Sequence, residues 1–285
     1  MKKVMLTMIC FIVISLVFPY NVSADIGPKP SVVIDFQGFE DEVYYVTLLA
    51  SVTSTGPFSV GSFYGDHMGD YDVFHKFASY EDVDSYHFLS YYQNCTETNR
   101  FAWTYFPPQE FKVLIYFPTD DSFIVSKSVY ERYAFDSYFQ AEITKGDNDV
   151  ILQGEVTLVK SYQYGFEIAS FLVRIVLTIA IELFVAMLFG FKGKVFFRYL
   201  VSINVTTQII LNVALNAINY YMGSLAFVAF YILLEIIVLI IEAIFYVALL
   251  KSQASTLKLL LYALIANGAS FILGMALAFW LPMFF

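Results

Sequence analysis

The chain has few of the residues that support enzyme chemistry, with only two cysteines and three histidines among 285 residues. No histidine, cysteine or aspartate lies in the long apolar runs after residue 166, and those runs contain no GxSxG motif. The chain also lacks a Walker A motif. These absences argue against an intramembrane protease and a P-loop nucleotide site. We therefore expect no cofactor, and we favour a role that is not enzymatic.

Cysteine is too scarce for a disulfide framework. Cys10 lies in a predicted signal peptide, and its removal leaves Cys95 as the only thiol, which excludes an internal disulfide. A bridge between two chains stays open, but we favour a buried, inert thiol.

The first residues, MKKVMLTMICFIVISLVFPYNVSADIG, have the three parts of a secretory signal peptide. Lys2 and Lys3 form its charged segment, and the apolar run Val4–Phe18 is short for a membrane span. Small residues at 22–24 favour cleavage before Asp25. The sequence predicts a signal peptide over residues 1–24, with an uncleaved anchor helix as the alternative.

Residues 25–165 are predicted to form an exported acidic domain. They carry 21 acidic and 8 basic residues, a net charge of −13, and no run long enough to span a bilayer. Strand-like stretches are PSVVIDF, VYYVTLLASV, FKVLIYF, SFIVSKSVY and DVILQGEVTLV. FPTDDSF and TKGDND are typical of turns, and Ser79 as an N-cap predicts a short helix between residues 79 and 92. We expect an antiparallel β-sandwich-like extracytoplasmic domain with one helical insertion.

Residues 166–285 are predicted to form a four-helix transmembrane bundle, which makes the fold class an α+β membrane protein. The apolar runs lie at 167–190, 196–221, 225–250 and 257–281. The positive-inside rule places a set of basic residues in the cytoplasm, namely Lys192, Lys194, Arg198, Lys251 and Lys258. A cleaved signal places residue 25 outside. Both signals predict a multi-pass protein of the cell membrane, with the domain and the C-terminus outside the cytoplasm.

Polar residues follow one face of each predicted span, and we expect these faces to meet. By helical rise, one polar residue of each span lies roughly 12–15 Å from the cytoplasmic side. The predicted inner layer comprises Glu182, Asn204, Gln208, Glu242 and Asn267, and the predicted outer layer comprises Arg174, Asn212, Asn216 and Glu235.

Two interpretations of these layers stay balanced. A charge at the centre of a membrane costs about 2.5–3.5 kcal/mol, so a glutamate there needs a proton or a partner. The layers either hold the helices together by hydrogen bonds, or Glu182 and Glu242 bind a proton or a hard cation with amide oxygens as further ligands. A third interpretation, an enzyme that uses the two glutamates as acid and base, is disfavoured.

The predicted domain contains weak metal-ligand candidates in GDHMGDYDVFHKF and YEDVDSYHF. They are His67, Asp70, Asp72, His75 and His87, whose residue types suit zinc or calcium. Their spacing matches no known metal motif, so we favour a solvated acidic face.

The stretches DIGPKPSVVIDF, STGPFS, NVTTQIILN, LLEIIVLIIEAIFY and IANGASFILG together resemble an uncharacterised family of exported bacterial membrane proteins. The resemblance implies a signal peptide, an extracytoplasmic domain and four helices, but no activity. We expect an envelope membrane protein that binds or senses a ligand outside and handles a cation or proton in its bundle. The alternative is a structural or accessory subunit of a membrane complex. The expected partners are the lipid bilayer and other membrane proteins, not nucleic acid.

Overall fold

The computed structural model of the chain describes residues 27–39, 42–62, 70–144 and 155–280. The predicted signal peptide, most of the TKGDND turn, His67 and Phe285 lie outside these residues. In the described part, strands and one short helix occupy the N-terminal half, and four long helices occupy the C-terminal half. This arrangement agrees with an α+β membrane protein.

The N-terminal strands form two larger sheets and one small hairpin. The strands are β1 (Ser31–Phe36), β2 (Tyr45–Ala50), β3 (Ser54–Thr55), β4 (Phe58–Ser59), β5 (His87–Phe88), β6 (Gln93–Asn94), β7 (Arg100–Trp103), β8 (Glu110–Phe117), β9 (Ser122–Val125), β10 (Tyr130–Glu131), β11 (Asp136–Thr144) and β12 (Glu155–Lys160). One sheet has the order β12-β11-β1-β7. The other has the order β10-β8-β2-β5, with β6 beside β2 and β9 beside β8. β3 pairs with β4.

A single hydrophobic core joins the two larger sheets. Ile34 and Trp103 of the first sheet and Leu48 and Ile115 of the second belong to the same buried cluster. β1 and β2 each contain a run of consecutive apolar residues that is buried, and this burial removes apolar surface from water.

The prediction of a purely antiparallel domain is wrong for one strand pair. β1 pairs antiparallel with β7 but parallel with β11, from Ser31 opposite Asp136 to Phe36 opposite Ala141. The Ser31 hydroxyl donates to Asp136 Oδ1 at 2.6 Å and supports this register. Strand alternation shows which face is buried but does not show the direction of the partner, so the pattern could not reveal the parallel pair.

The helix predicted between residues 79 and 92 is also misplaced. The helix is α1 (Tyr71–Ala78), and Ser79 is its C-cap. Asp70 caps its N-terminus by accepting the Asp72 N–H at 2.8 Å. The segment after Ser79 turns, because the Asp82 carboxylate accepts the N–H groups of Asp84 and Tyr86.

Four long helices follow: α2 (Tyr164–Leu188), α3 (Lys194–Met222), α4 (Ser224–Leu250) and α5 (Thr256–Trp280). By length and apolar composition, all four can cross a membrane. Their bounds lie within a few residues of the predicted spans. The chain therefore fits a multi-pass membrane protein.

The β-rich part contacts the bundle where α3 ends and α4 begins. The Phe135 N–H donates to the Tyr220 carbonyl oxygen at 2.8 Å, and the rings of Tyr133 and Tyr162 pack on the Tyr220 ring. Gly223 joins α3 to α4 with a φ of 82°. We call this end of the bundle the domain end; the loops 189–193 and 251–255 lie at the opposite end.

Candidate functional site

The four helices pack as a ring. α3 and α5 each contact both α2 and α4, so α2 and α4 face each other diagonally. Glu182 of α2 and Glu242 of α4 are both fully buried. Because their helices are diagonal neighbours, the two carboxyl groups enter the same centre from opposite sides.

Glu242 accepts hydrogen bonds from both helices that flank α4. The Thr207 hydroxyl of α3 donates to its Oε1 at 2.5 Å, and the Asn267 amide of α5 donates to its Oε2 at 2.8 Å. Thr207 also lies within 3.1 Å of the Ile203 carbonyl oxygen. Each carboxyl oxygen of Glu242 therefore has one donor from a flanking helix and keeps further acceptor capacity.

The Tyr246 hydroxyl joins the two carboxyl groups. It lies 3.4 Å from Glu182 Oε2, 3.3 Å from Glu242 Oε2 and 2.9 Å from Asn204 Oδ1. One phenol carries one proton and can donate to only one of these acceptors at a time. We define the carboxyl cluster as the two glutamates, the side chains that bond them and the partner of Tyr246. Its members are Glu182, Glu242, Thr207, Tyr246, Asn267 and Asn204.

The carboxyl cluster has unbalanced charge and unbalanced hydrogen bonding. Among the described residues, Glu182 Oε1, Asn204 Nδ2 and Asn267 Oδ1 are buried without a hydrogen-bond partner. In the same part of the chain, no lysine, arginine or histidine forms an ion pair with Glu182 or Glu242. The cluster therefore holds two acidic groups and spare acceptor oxygens, with no cationic side chain to balance them.

The predicted inner layer is divided between two places. Glu182, Asn204, Glu242 and Asn267 come together in the carboxyl cluster. Gln208 lies one turn closer to the domain end, where its side chain and carbonyl oxygen accept from Asn212 Nδ2 at 3.3 and 2.8 Å. Thr207 occupies the position in the cluster that the sequence analysis gave to Gln208.

The predicted outer layer lines a cavity of about 480 Å³ in the domain-end half of the bundle. Arg174, Asn212, Asn216 and Glu235 all border it, together with Gln208. Arg174 Nη2 donates to Asn216 Oδ1 at 3.0 Å. We call this space the bundle cavity.

A second cavity, of about 390 Å³, adjoins the bundle cavity under the β-rich part. Phe166, Glu167 and Asn219 line both cavities. Its other walls include Asp136 and Tyr138 of β11. Because they share these wall residues, the two cavities lie side by side between the β-rich part and Gln208, which is the residue after Thr207.

The weak metal candidates are dispersed. Asp70 serves as the N-cap of α1, and His75 packs against the rings of Tyr71 and Phe74. Asp72 is exposed in the first turn of α1, and His87 lies in β5. In residues 27–39, 42–62, 70–144 and 155–280, no three histidine, cysteine or acidic side chains are grouped to hold a metal ion. Instead, Asp82 and Asp84 both bind Lys112 Nζ, at 3.0 and 2.5 Å.

Sequence reasoning did not assign Thr207, Tyr246 or Tyr262 to the site. Tyr246 is four residues after Glu242, so both lie on one face of α4. Thr207 is three residues after Asn204, and the Tyr262 hydroxyl donates to the Glu182 carbonyl oxygen at 3.2 Å. For Thr207 and Tyr246, a spacing of three or four residues from a buried polar residue was the available signal; Tyr262 does not have this spacing.

No family model matches the chain, and neither a curated protein nor a solved structure is significantly similar to it. The function must therefore be argued from the geometry of the bundle.

Proposed function

We propose that the chain is a multi-pass envelope membrane protein whose carboxyl cluster binds one proton or one small hard cation. The observation that carries the proposal is the Tyr246 hydroxyl between two buried carboxyl groups, with which no cationic side chain of the described residues forms an ion pair. Two carboxylates in one buried, low-dielectric site repel each other, and each loses its hydration. A positive charge bound between them lowers both penalties.

The donor set suits a proton or a hard cation because every available ligand atom is oxygen. Glu182 Oε1 and Asn267 Oδ1 are spare acceptors, and Glu242 adds carboxyl oxygens. Oxygen-only ligation is typical of sodium, calcium or magnesium rather than of softer metals. A proton shared between the carboxyl groups has the same effect on the net charge of the cluster as a sodium ion.

The charges at the two ends of the bundle support a topology with the β-rich domain outside the cytoplasm. Five basic residues that the positive-inside rule uses lie at or beside the loops of the opposite end, including Lys192, Arg198 and Lys258. The domain itself is strongly acidic. In this topology, the adjoining cavities lead from the outer domain towards the carboxyl cluster.

The β-rich domain is proposed to be a sandwich that binds or senses a ligand and transmits its state to the bundle. One hydrophobic core between two sheets supports the sandwich. The bond from Phe135 to Tyr220 and the packing of Phe135 against Gly223 supply a direct mechanical connection to the α3–α4 turn.

Cation binding is tested by thermal unfolding of the purified protein in neutral detergent, with sodium, potassium, calcium or pH as the variable. A ligand that binds only the folded state stabilises it by about 2.7 kcal/mol at 100 times its Kd. The stabilisation by the active cation, or by acid, should vanish in Glu182→Gln and Glu242→Gln.

The matched controls are Thr207→Val and Thr206→Val. Both hydroxyls lie within hydrogen-bond distance of a carbonyl oxygen of α3, but only the Thr207 hydroxyl can donate to Glu242 instead. We expect Thr207→Val to weaken cation or proton binding and Thr206→Val to leave it unchanged. If neither cation nor pH distinguishes the glutamine variants from the native chain, the proposal is wrong.

A structural role is the second candidate, favoured by the two donors that already bond Glu242 from α3 and α5. In that case, the bundle belongs to an accessory subunit, and the cluster fixes helix packing. Glu242→Gln would then keep cellular function, and mild-detergent purification from the native membrane would recover a membrane-protein partner with both the native and variant chains.

A further inference from the structure

The bundle cavity has the composition of a ligand site. Its volume of about 480 Å³ lies in the range of roughly 300–1,000 Å³ that small-molecule sites occupy. Leu177, Ile181, Leu211 and Phe227 supply apolar walls, and a few polar groups interrupt them. Apolar walls with a small number of placed polar groups suit an amphipathic molecule.

Two hydrogen-bond donors on α2 line this cavity without a partner. Ser170 Oγ and Arg174 Nε are buried and have no hydrogen-bond partner among the described residues. Ser170 is only 5% exposed. The two residues are four apart, so their side chains lie on one face of the helix, one turn from each other.

The charge of Arg174 is incompletely matched. Its Nη2 donates to the neutral Asn216 amide at 3.0 Å, and its Cζ lies 5.9 Å from the centre of the Phe227 ring. In the described part of the chain, it forms no ion pair with a carboxylate. A cation within a helical bundle needs an anionic or polar partner. Asn216 is a polar partner but carries no charge, so a bound anion would supply the opposite charge.

The two acidic side chains on the cavity wall make no direct ion pair with Arg174 among the described residues, although Glu167 lies close enough for its charge to act on the guanidinium. Glu167, at the domain end, accepts a hydrogen bond from the Tyr162 hydroxyl. Glu235 approaches from α4 and makes no ion pair with Arg174 within the described residues. The guanidinium therefore stays available to a bound molecule.

We propose that the bundle cavity binds an amphipathic anion. Its carboxylate or phosphate group is held by the Ser170 hydroxyl and the Arg174 guanidinium, and its hydrocarbon chain lies against Leu177, Leu211 and Phe227. The planar guanidinium presents parallel N–H groups that match carboxylate and phosphate oxygens. A free fatty acid and a phospholipid share this chemistry.

This site is separate from the carboxyl cluster. Its anion-binding donors lie on α2, eight and twelve residues before Glu182, and the cavity ends at Gln208. The adjoining cavity beneath β11 gives a route to it from the β-rich part. Loss of anion binding would consequently leave cation or proton binding by the cluster intact, so the two proposals fail independently.

The test is ligand-dependent thermal unfolding of the full chain in a neutral sugar detergent, with four probes. Dodecanoate and dodecyl phosphate should raise the unfolding temperature; dodecanol, which lacks the charge, and inorganic phosphate, which lacks the chain, should not. Tighter binding of dodecanoate indicates a fatty acid as the natural ligand, and tighter binding of dodecyl phosphate indicates a phospholipid.

Substitutions of the proposed donors test which side chains hold the anion. Ser170→Ala and Arg174→Gln should each weaken dodecanoate or dodecyl phosphate binding about tenfold or more, because each removes a charge-assisted hydrogen bond. Arg174→Lys keeps the charge but loses the planar donors, so its affinity should lie between those of the native chain and Arg174→Gln.

Ser202→Ala and Arg198→Gln, which change the same residue types near the opposite end of the bundle, are the matched controls and should bind like the native chain. The proposal is overturned if dodecanol stabilises as much as dodecanoate. It is equally overturned if Ser170→Ala and Arg174→Lys both bind with native affinity.

Discussion

Removal of the Tyr246 hydroxyl should destabilise the bundle by more than its size suggests. Tyr246→Phe keeps the shape of a fully buried ring, so the change creates almost no cavity. The hydroxyl lies 2.9 Å from Asn204 Oδ1 and within 3.4 Å of both carboxyl groups. Its loss leaves buried acceptors from three helices without that donor.

The magnitude follows from two contributions. One polar bond between membrane helices is worth about 0.6 kcal/mol on average and at most about 1.7 kcal/mol. A buried acceptor left unsatisfied adds about 1–3 kcal/mol. A neighbouring donor can partly replace the lost hydroxyl, so the two contributions do not add in full. We therefore expect Tyr246→Phe to lower the free energy of unfolding by about 1–3 kcal/mol.

The assay is reversible unfolding in mixed micelles, titrated with dodecyl sulfate and followed by circular dichroism. Tyr199→Phe is the matched control, because Tyr199 is exposed on α3 and a surface change of this kind shifts stability by less than about 0.5 kcal/mol. A double-mutant cycle with Asn204→Ala should give a coupling energy of at least about 0.5 kcal/mol. Equal effects of the two phenylalanine variants, or a coupling energy near zero, would refute the proposed network.

Three further predictions concern the β-rich domain and its contact with the bundle. Gly223→Ala should lower the free energy of unfolding by at least about 1 kcal/mol more than Gly190→Ala does in the same assay. Both glycines have a positive φ, but only at 223 would a Cβ clash with the domain, at 2.5 Å from the Phe135 ring. Lys112→Met should lower the free energy of unfolding by about 3–5 kcal/mol, because it leaves a buried aspartate unpaired. Lys127→Met removes an exposed ion pair and should lower it by less than about 1 kcal/mol. Equal losses for the two variants in chemical unfolding would contradict the value for Lys112. Burial alone would lower the pKa of Lys112, but its hydrogen bonds to two aspartates raise it. The stability that the charged lysine contributes is therefore complete below the unfolded-state pKa of about 10.4. It is lost as pH rises through the higher folded-state pKa. Burial raises the pKa of Cys95 to about 12, so maleimide should label it at pH 8 only after unfolding, and rapid labelling of the folded chain would contradict its burial.

The sequence predicted the four long helices well because each carries a long apolar run, and this signal is local. Stretches of β-branched and aromatic residues also placed β1, β2, β8 and β9. The parallel pairing of β1 with β11 could not be predicted, since it depends on residues about 105 positions apart. Helix α1 was misplaced because Ser79 and Asp70 are both good cap residues, and only the packing of Val73, Phe74 and Phe77 selects Asp70.

Helical periodicity was enough to predict the depth of the candidate site in the bundle, but not every side chain in it. Counting residues along each span placed Glu182, Asn204, Glu242 and Asn267 at one depth, and the structure brings these four together. Gln208 lies outside the cluster because Thr207, one residue earlier, faces Glu242. A difference of one residue is about 100° of rotation around a helix, which depth alone does not resolve.

The most direct test of the carboxyl cluster is infrared difference spectroscopy of the protein in lipid vesicles, recorded while the active cation or the pH is exchanged. We predict a carboxyl band that changes on exchange and is lost in both Glu182→Gln and Glu242→Gln, while Glu235→Gln keeps it. A difference spectrum that is the same in all three variants as in the native chain would contradict a positive charge shared between Glu182 and Glu242.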